Sequence, residues 1–107
     1  GMNIWHDADI ERFFEAVLTL KDIEDCRLFF EDICTIKEIL DISQRLKMAK
    51  MLYDGAGYTE ISSETGISTT TISRVSKCLK YGNGGYKTIL DRLAAVDKEK
   101  EEQSTEQ

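Results

Sequence analysis

The sequence predicts an all-α protein. Three observations carry this expectation: proline is absent, the glycines gather at a few points, and apolar residues recur at helical rather than alternating spacing. At 107 residues there is room for one domain and one core. A hydrophobic content of 41% with 32% charged residues is ordinary for a soluble globular chain. No apolar run approaches the roughly 18 residues of a membrane span. No signal-peptide pattern opens the chain, and Gly1 before Met2 reads as a scar of tag removal.

A first helix is expected from Asp7 or Asp9 to Leu20, with Ile10, Phe13, Phe14, Val17 and Leu18 forming one apolar stripe. A second runs from Asp22 to Ile33, with Ile23, Cys26, Phe29, Phe30 and Ile33 facing inward. All four phenylalanines fall in these two helices, more apolar surface than one small chain can cover, so residues 1–34 are expected to form dimerisation helices. Thr35 and Glu38 have capping-box spacing. The third helix then reaches Tyr53, with Ile36, Ile39, Leu40, Leu46, Ala49, Leu52 and Tyr53 as candidate core residues, and ends at Gly55 and Gly57. Thr59 is expected to cap a short helix to Thr65, and Ser68 a longer one from Thr69 to Tyr81. The run Gly82-Asn83-Gly84-Gly85 stops that helix, and a last one spans Tyr86 to Val96. The domain is therefore expected over residues 1–96, and 97–107, which lacks apolar side chains, as an acidic disordered tail.

A net charge of −6 argues at first against a nucleic-acid partner, but its distribution reverses that. Residues 1–34 hold nine acidic and three basic side chains, while 35–87 hold eight basic and five acidic, a net of +3. The tail, with five acidic and two basic, carries −3. Phosphates respond to the local patch, not to the whole-chain balance. Cys26, Cys34 and Cys78 are odd in number and far apart, and His6 is the single histidine. Neither a disulfide framework nor a metal site is expected; the cysteines read as half-buried apolar groups of a reduced, cytoplasmic protein. Catalysis would need a nucleophile beside a base, paired carboxylates or a metal cluster, so no enzyme is expected.

The segment from Tyr58 to Lys77 has the spacing of a helix-turn-helix. Ile61 and Ser62 are its fourth and fifth residues, Gly66 its ninth, Ile67 its tenth, Ile72 its fifteenth and Val75 its eighteenth. These place apolar or small side chains where two short helices cross, and a glycine where the turn needs positive φ. Ser68, Thr69, Thr70, Ser73, Arg74 and Lys77 should line the outer side or start of the second helix, the element that enters a major groove. Lys80, and Lys87 beyond it, lie within reach of phosphates.

From Thr35 to Leu93 the chain resembles the Trp repressor-like superfamily, most closely its YerC/YecD-type group. The likeness is strongest in QRLKMAKMLYDGAGYTEISSETGISTTTISRVSKCLKYGNGGY. It implies an intertwined homodimer that binds a double-stranded DNA operator as a transcriptional regulator, with repression the expected sense. In ligand-responsive members two arginines bracket tryptophan. Arg45 and Arg74 fall at the matching positions, and Thr35 where a threonine approaches the ligand. Thr35, Arg45, Arg74 and Val75 would thus line a corepressor pocket. Val75 departs from the pattern, because tryptophan-binding members carry glycine there. Its branched side chain should fill part of the indole space, so neither L-tryptophan nor another small corepressor is expected. A protein-interaction module without DNA binding, supported by the acidic N-terminal third, is the alternative from another class. A tryptophan-responsive repressor is the alternative if the space beside Val75 is open.

Overall fold

The structure, a computed structural model, describes residues 3–105. Six α-helices account for most of them, preceded by a 3₁₀ turn at Ile4–His6: α1 (Ala8–Val17), α2 (Ile23–Ile33), α3 (Ile36–Tyr53), α4 (Tyr58–Thr65), α5 (Thr69–Tyr81) and α6 (Gly85–Thr105). The chain divides into two compact units, Gly1–Ile39 and Leu40–Gln107. α1 and α2 contain no fully buried residue.

The N-terminal helices start where carboxylates meet unpaired backbone donors. Asp7 accepts from the Asp9 and Ile10 N–H groups at 2.8 and 3.2 Å, and Asp22 from that of Asp25 at 2.8 Å. The rings form a chain of contacts, Trp5–Phe14, Phe14–Phe13, Phe13–Phe29 and Phe29–Phe30, with centroids 5.4 to 6.1 Å apart. Yet Leu18 is 84% exposed and Ile23 82%, and Phe14, Leu28 and Ile33 are exposed too. Apolar periodicity set these helices correctly, and part of their stripe is left uncovered within one chain, as the concentration of phenylalanines led one to expect. The capping box is present: the Thr35 N–H donates to Glu38 Oε1 at 2.9 Å, and the Glu38 N–H to Thr35 Oγ1 at 3.1 Å. These bonds, that from the Thr35 backbone first, hold the Glu38 carboxyl below its ordinary pKa.

The core of the second unit is Met48, Ala49, Ile61, Ile72, Val75 and Leu90, with Leu52, Tyr53, Ile67, Leu79 and Tyr86 packed around it. Of the expected core, Ala49 is buried and Leu52 and Tyr53 half-buried, whereas Ile36, Ile39, Leu40 and Leu46 are exposed. Met48 takes their place, since α3 turns the Met48–Ala49 side toward α4 and α5. One helix start differs from expectation. Gly57, not Thr59, is the N-cap of α4, and it offers no side-chain acceptor. Thr59 lies inside the helix.

The largest difference is at the C-terminus. Residues 97–105, expected to be disordered, continue α6 as an exposed helix; 106–107 lie outside the described residues. Lack of apolar side chains leaves the segment nothing to pack on, but Lys, Glu and Gln are good helix formers and no proline or glycine interrupts them. A helix already nucleated on Leu90 extends at little cost.

Candidate nucleic-acid interface

The helix-turn-helix corner is built as the spacing requires. Ile61 and Ile72 are fully buried and Val75 is 5% exposed, so the two helices lock through these three side chains. Gly66 has φ 72°, in the left-handed region that only glycine enters freely. Ser62 Oγ donates to the Ile67 carbonyl at 2.8 Å, and Thr65 Oγ1 donates to that of Ile61 at 2.7 Å while accepting from the Ile67 N–H. Ser68 then caps α5, accepting from the Thr71 N–H at 3.3 Å. The corner therefore holds α5 in a set orientation against α4.

On the outer side of α5, Thr69, Thr70, Ser73, Arg74 and Lys77 line one shallow groove of about 530 Å³. Their spacing of one and four residues puts them on one strip of the helix. Tyr58, at the first position of α4, completes the lining. No carboxylate takes part. Among the described residues Arg74, Lys77 and Lys80 form no ion pair with a carboxylate, whereas Arg12, Arg27, Lys50 and Lys87 each do. The groove is thus an exposed surface of hydroxyl and cationic donors, suited to an anionic polymer.

Five of the seven expected DNA-facing residues meet in this groove. Ser68 is used as a helix cap, and Lys80 is exposed on α5 outside the groove lining. Lys87, placed by sequence within reach of phosphates, instead donates to Asp91 Oδ2 at 2.8 Å. Sequence reasoning passed over Tyr58. The available signal was an aromatic side chain at the first position of the motif, where none of the six diagnostic positions demands one.

Of the four residues expected around a corepressor, the three in the second unit, Arg45, Arg74 and Val75, do not share one cavity. Arg74 belongs to the outer groove, and Val75 fills the core. Arg45 lines a separate apolar groove of about 550 Å³ with Ile42, Leu46, Cys78, Tyr86 and Ile89, and a smaller cleft beside Met48 and Thr71. Thr35 belongs to the N-terminal unit, where it caps α3. Cys78 is exposed, not half-buried as expected; Cys26 and Cys34 are half-buried, and all three are free. Among the described residues no cluster of His, Cys, Asp and Glu could hold a metal, and no helix is long and apolar enough to cross a membrane.

Comparison with known proteins agrees with this geometry. The Trp repressor protein family matches residues 8–94. The uncharacterized protein YerC of Bacillus subtilis is 48% identical over 91 residues, covering 85% of this chain and 88% of its own. The crystal structure of a TrpR-like protein from Eubacterium eligens superimposes with a TM-score of 0.82 at 47% identity, over 87% of this chain and 96% of the other. That of a proposed Trp repressor from Staphylococcus aureus gives 0.80 at 46%, over 88% and 96%. The family match over most of the chain, the near-half identity and the shared six-helix architecture agree, and the chain belongs to the Trp repressor family, a family of non-enzymatic regulators.

Proposed function

We propose that the protein is a sequence-specific DNA-binding transcriptional regulator, acting as a homodimer and placing α5 in the major groove of a two-fold-related operator. One observation carries this reading: Thr69, Thr70, Ser73, Arg74 and Lys77 share an exposed, carboxylate-free groove on the second helix of a helix-turn-helix. Such helices dock with their N-terminal residues on base edges, while flanking cations take phosphates. The dimer rests on the exposed apolar side chains of α1 and α2, among them Leu18 and Ile23. A patch of this kind marks an interface. Two copies would present two α5 helices, matching half-sites about one helical turn apart.

Regulation by tryptophan does not form part of this proposal. Val75 is packed among Ile61, Ile72 and Leu90, where an indole beside Arg74 would need room. DNA binding is therefore expected without a corepressor, and titration calorimetry with L-tryptophan should give no micromolar binding.

Selection from random DNA, followed by footprinting, tests the function. A palindromic site should be enriched, and Lys77→Ala should weaken binding and flatten the salt dependence by about one unit. No enriched site, with binding indifferent to Arg74→Ala and Lys77→Ala, would overturn the reading.

A further inference from the structure

Tyr58 stands on α4, not on the recognition helix, yet it lines the same groove as Thr69, Thr70, Ser73, Arg74 and Lys77. Tyr58 is 36% exposed and lies outside the buried cluster of Met48, Ala49, Ile61, Ile72, Val75 and Leu90. Among the described residues its hydroxyl makes no hydrogen bond. Tyr53 gives the contrast, since its hydroxyl is engaged by Asp91 at 2.5 Å. An aromatic ring with an unengaged donor therefore borders a groove whose other polar groups are three hydroxyls and two cations.

We infer that Tyr58 is a DNA-positioning residue whose hydroxyl donates to a backbone phosphate at the edge of the major groove. The inference rests on the DNA-binding reading above and assigns a role that the recognition helix does not supply. In a helix-turn-helix the first helix crosses the nucleic-acid backbone while the second enters the groove. A donor at the start of α4 that faces the α5 groove is thus placed at the boundary between the two. Phosphate contacts set register and orientation without reading sequence. The hydroxyl is neutral, so its bond to a phosphate releases no counterion, in contrast to Arg74 and Lys77.

These properties separate Tyr58 from the two cations of the groove, Arg74 and Lys77. In the full-length protein, Tyr58→Phe keeps the ring and removes the donor. It is compared with Arg74→Ala and Lys77→Ala on two duplexes, the palindrome enriched by the wild-type protein and a random duplex of equal length, across a salt series. The expected result for Tyr58→Phe is a loss of about tenfold on both duplexes, the size of one hydrogen bond to a charged acceptor, with the salt slope unchanged. Lys77→Ala flattens the slope by about one. Wild-type affinity in Tyr58→Phe, with Arg74→Ala and Lys77→Ala still impaired, overturns the role of Tyr58 and leaves the function standing. A loss confined to the enriched duplex also overturns it, because the side chain would then be reading bases. Absence of DNA binding by the wild-type protein overturns the function and this inference together. A thermal melt of Tyr58→Phe that matches the wild type confirms that the fold is retained.

Discussion

The hydroxyl of Ser62 donates to the carbonyl of Ile67 at 2.8 Å, closing the corner between α4 and α5 across Gly66. With the Thr65 hydroxyl bridging Ile61 and Ile67, it satisfies turn groups that are partly shielded from water. Ser62→Ala should cost about 1 kcal/mol, because a half-buried carbonyl loses its donor. Gly66→Ala should cost about 1–2 kcal/mol through its left-handed backbone. Urea denaturation at one fixed protein concentration measures both, and keeps any subunit association constant across the series.

Asp91 links α6 to α3, accepting from Lys87 at 2.8 Å and from the Tyr53 hydroxyl at 2.5 Å. The Lys87 bond first, and the Tyr53 bond second, hold its carboxyl below the ordinary range. The same bonds raise the Tyr53 phenol and the Lys87 ammonium. A depressed carboxyl stabilises the fold above its unfolded pKa of about 3.9, and that stability is lost as pH falls through the lower folded value. The raised phenol and ammonium act in reverse: their contribution is complete below about pH 10 and is lost as pH rises through the folded values. Asp91→Asn should therefore lower the melting temperature in the neutral range, and the gap to wild type should narrow both in strong acid and above about pH 10. Melting curves across that range check it, and a gap of constant size would refute the linkage.

Leu18 and Ile23 are more than four-fifths exposed within one chain. If a second copy covers them, Leu18→Asp with Ile23→Asp should convert the dimer to monomer. Each lost side chain is worth about 1.5–3 kcal/mol of burial. Sedimentation equilibrium over a concentration series reads the shift directly, and a monomeric wild type would remove the dimer from the proposal.

The last turns of α6, residues 97–105, are exposed throughout. Deleting 97–107 should reduce the far-ultraviolet helical signal while leaving the melting temperature within about 1 °C, since none of the described side chains lost is buried. DNA affinity should also be unchanged. A marked gain in affinity on deletion would show instead that the acidic segment competes for the α5 groove.

The sequence by itself determined what depends on neighbours a few positions apart. Asp7, Asp22, Thr35 with Glu38, and Ser68 cap their helices because each side chain meets a backbone N–H two or three residues on. Gly66 marked the corner because left-handed backbone excludes other residues, and the buried spacing of Ile61, Ile72 and Val75 followed from it. Only the tertiary structure decided relationships that periodicity cannot encode. Apolar spacing names a helix face without naming its cover, so Met48 is core while Ile36 and Leu40 are exposed. The Tyr53–Asp91 bond joins residues 38 apart, on α3 and α6. Tyr58 joins the α5 groove because of how α4 crosses α5, a matter of packing angle and not of local pattern.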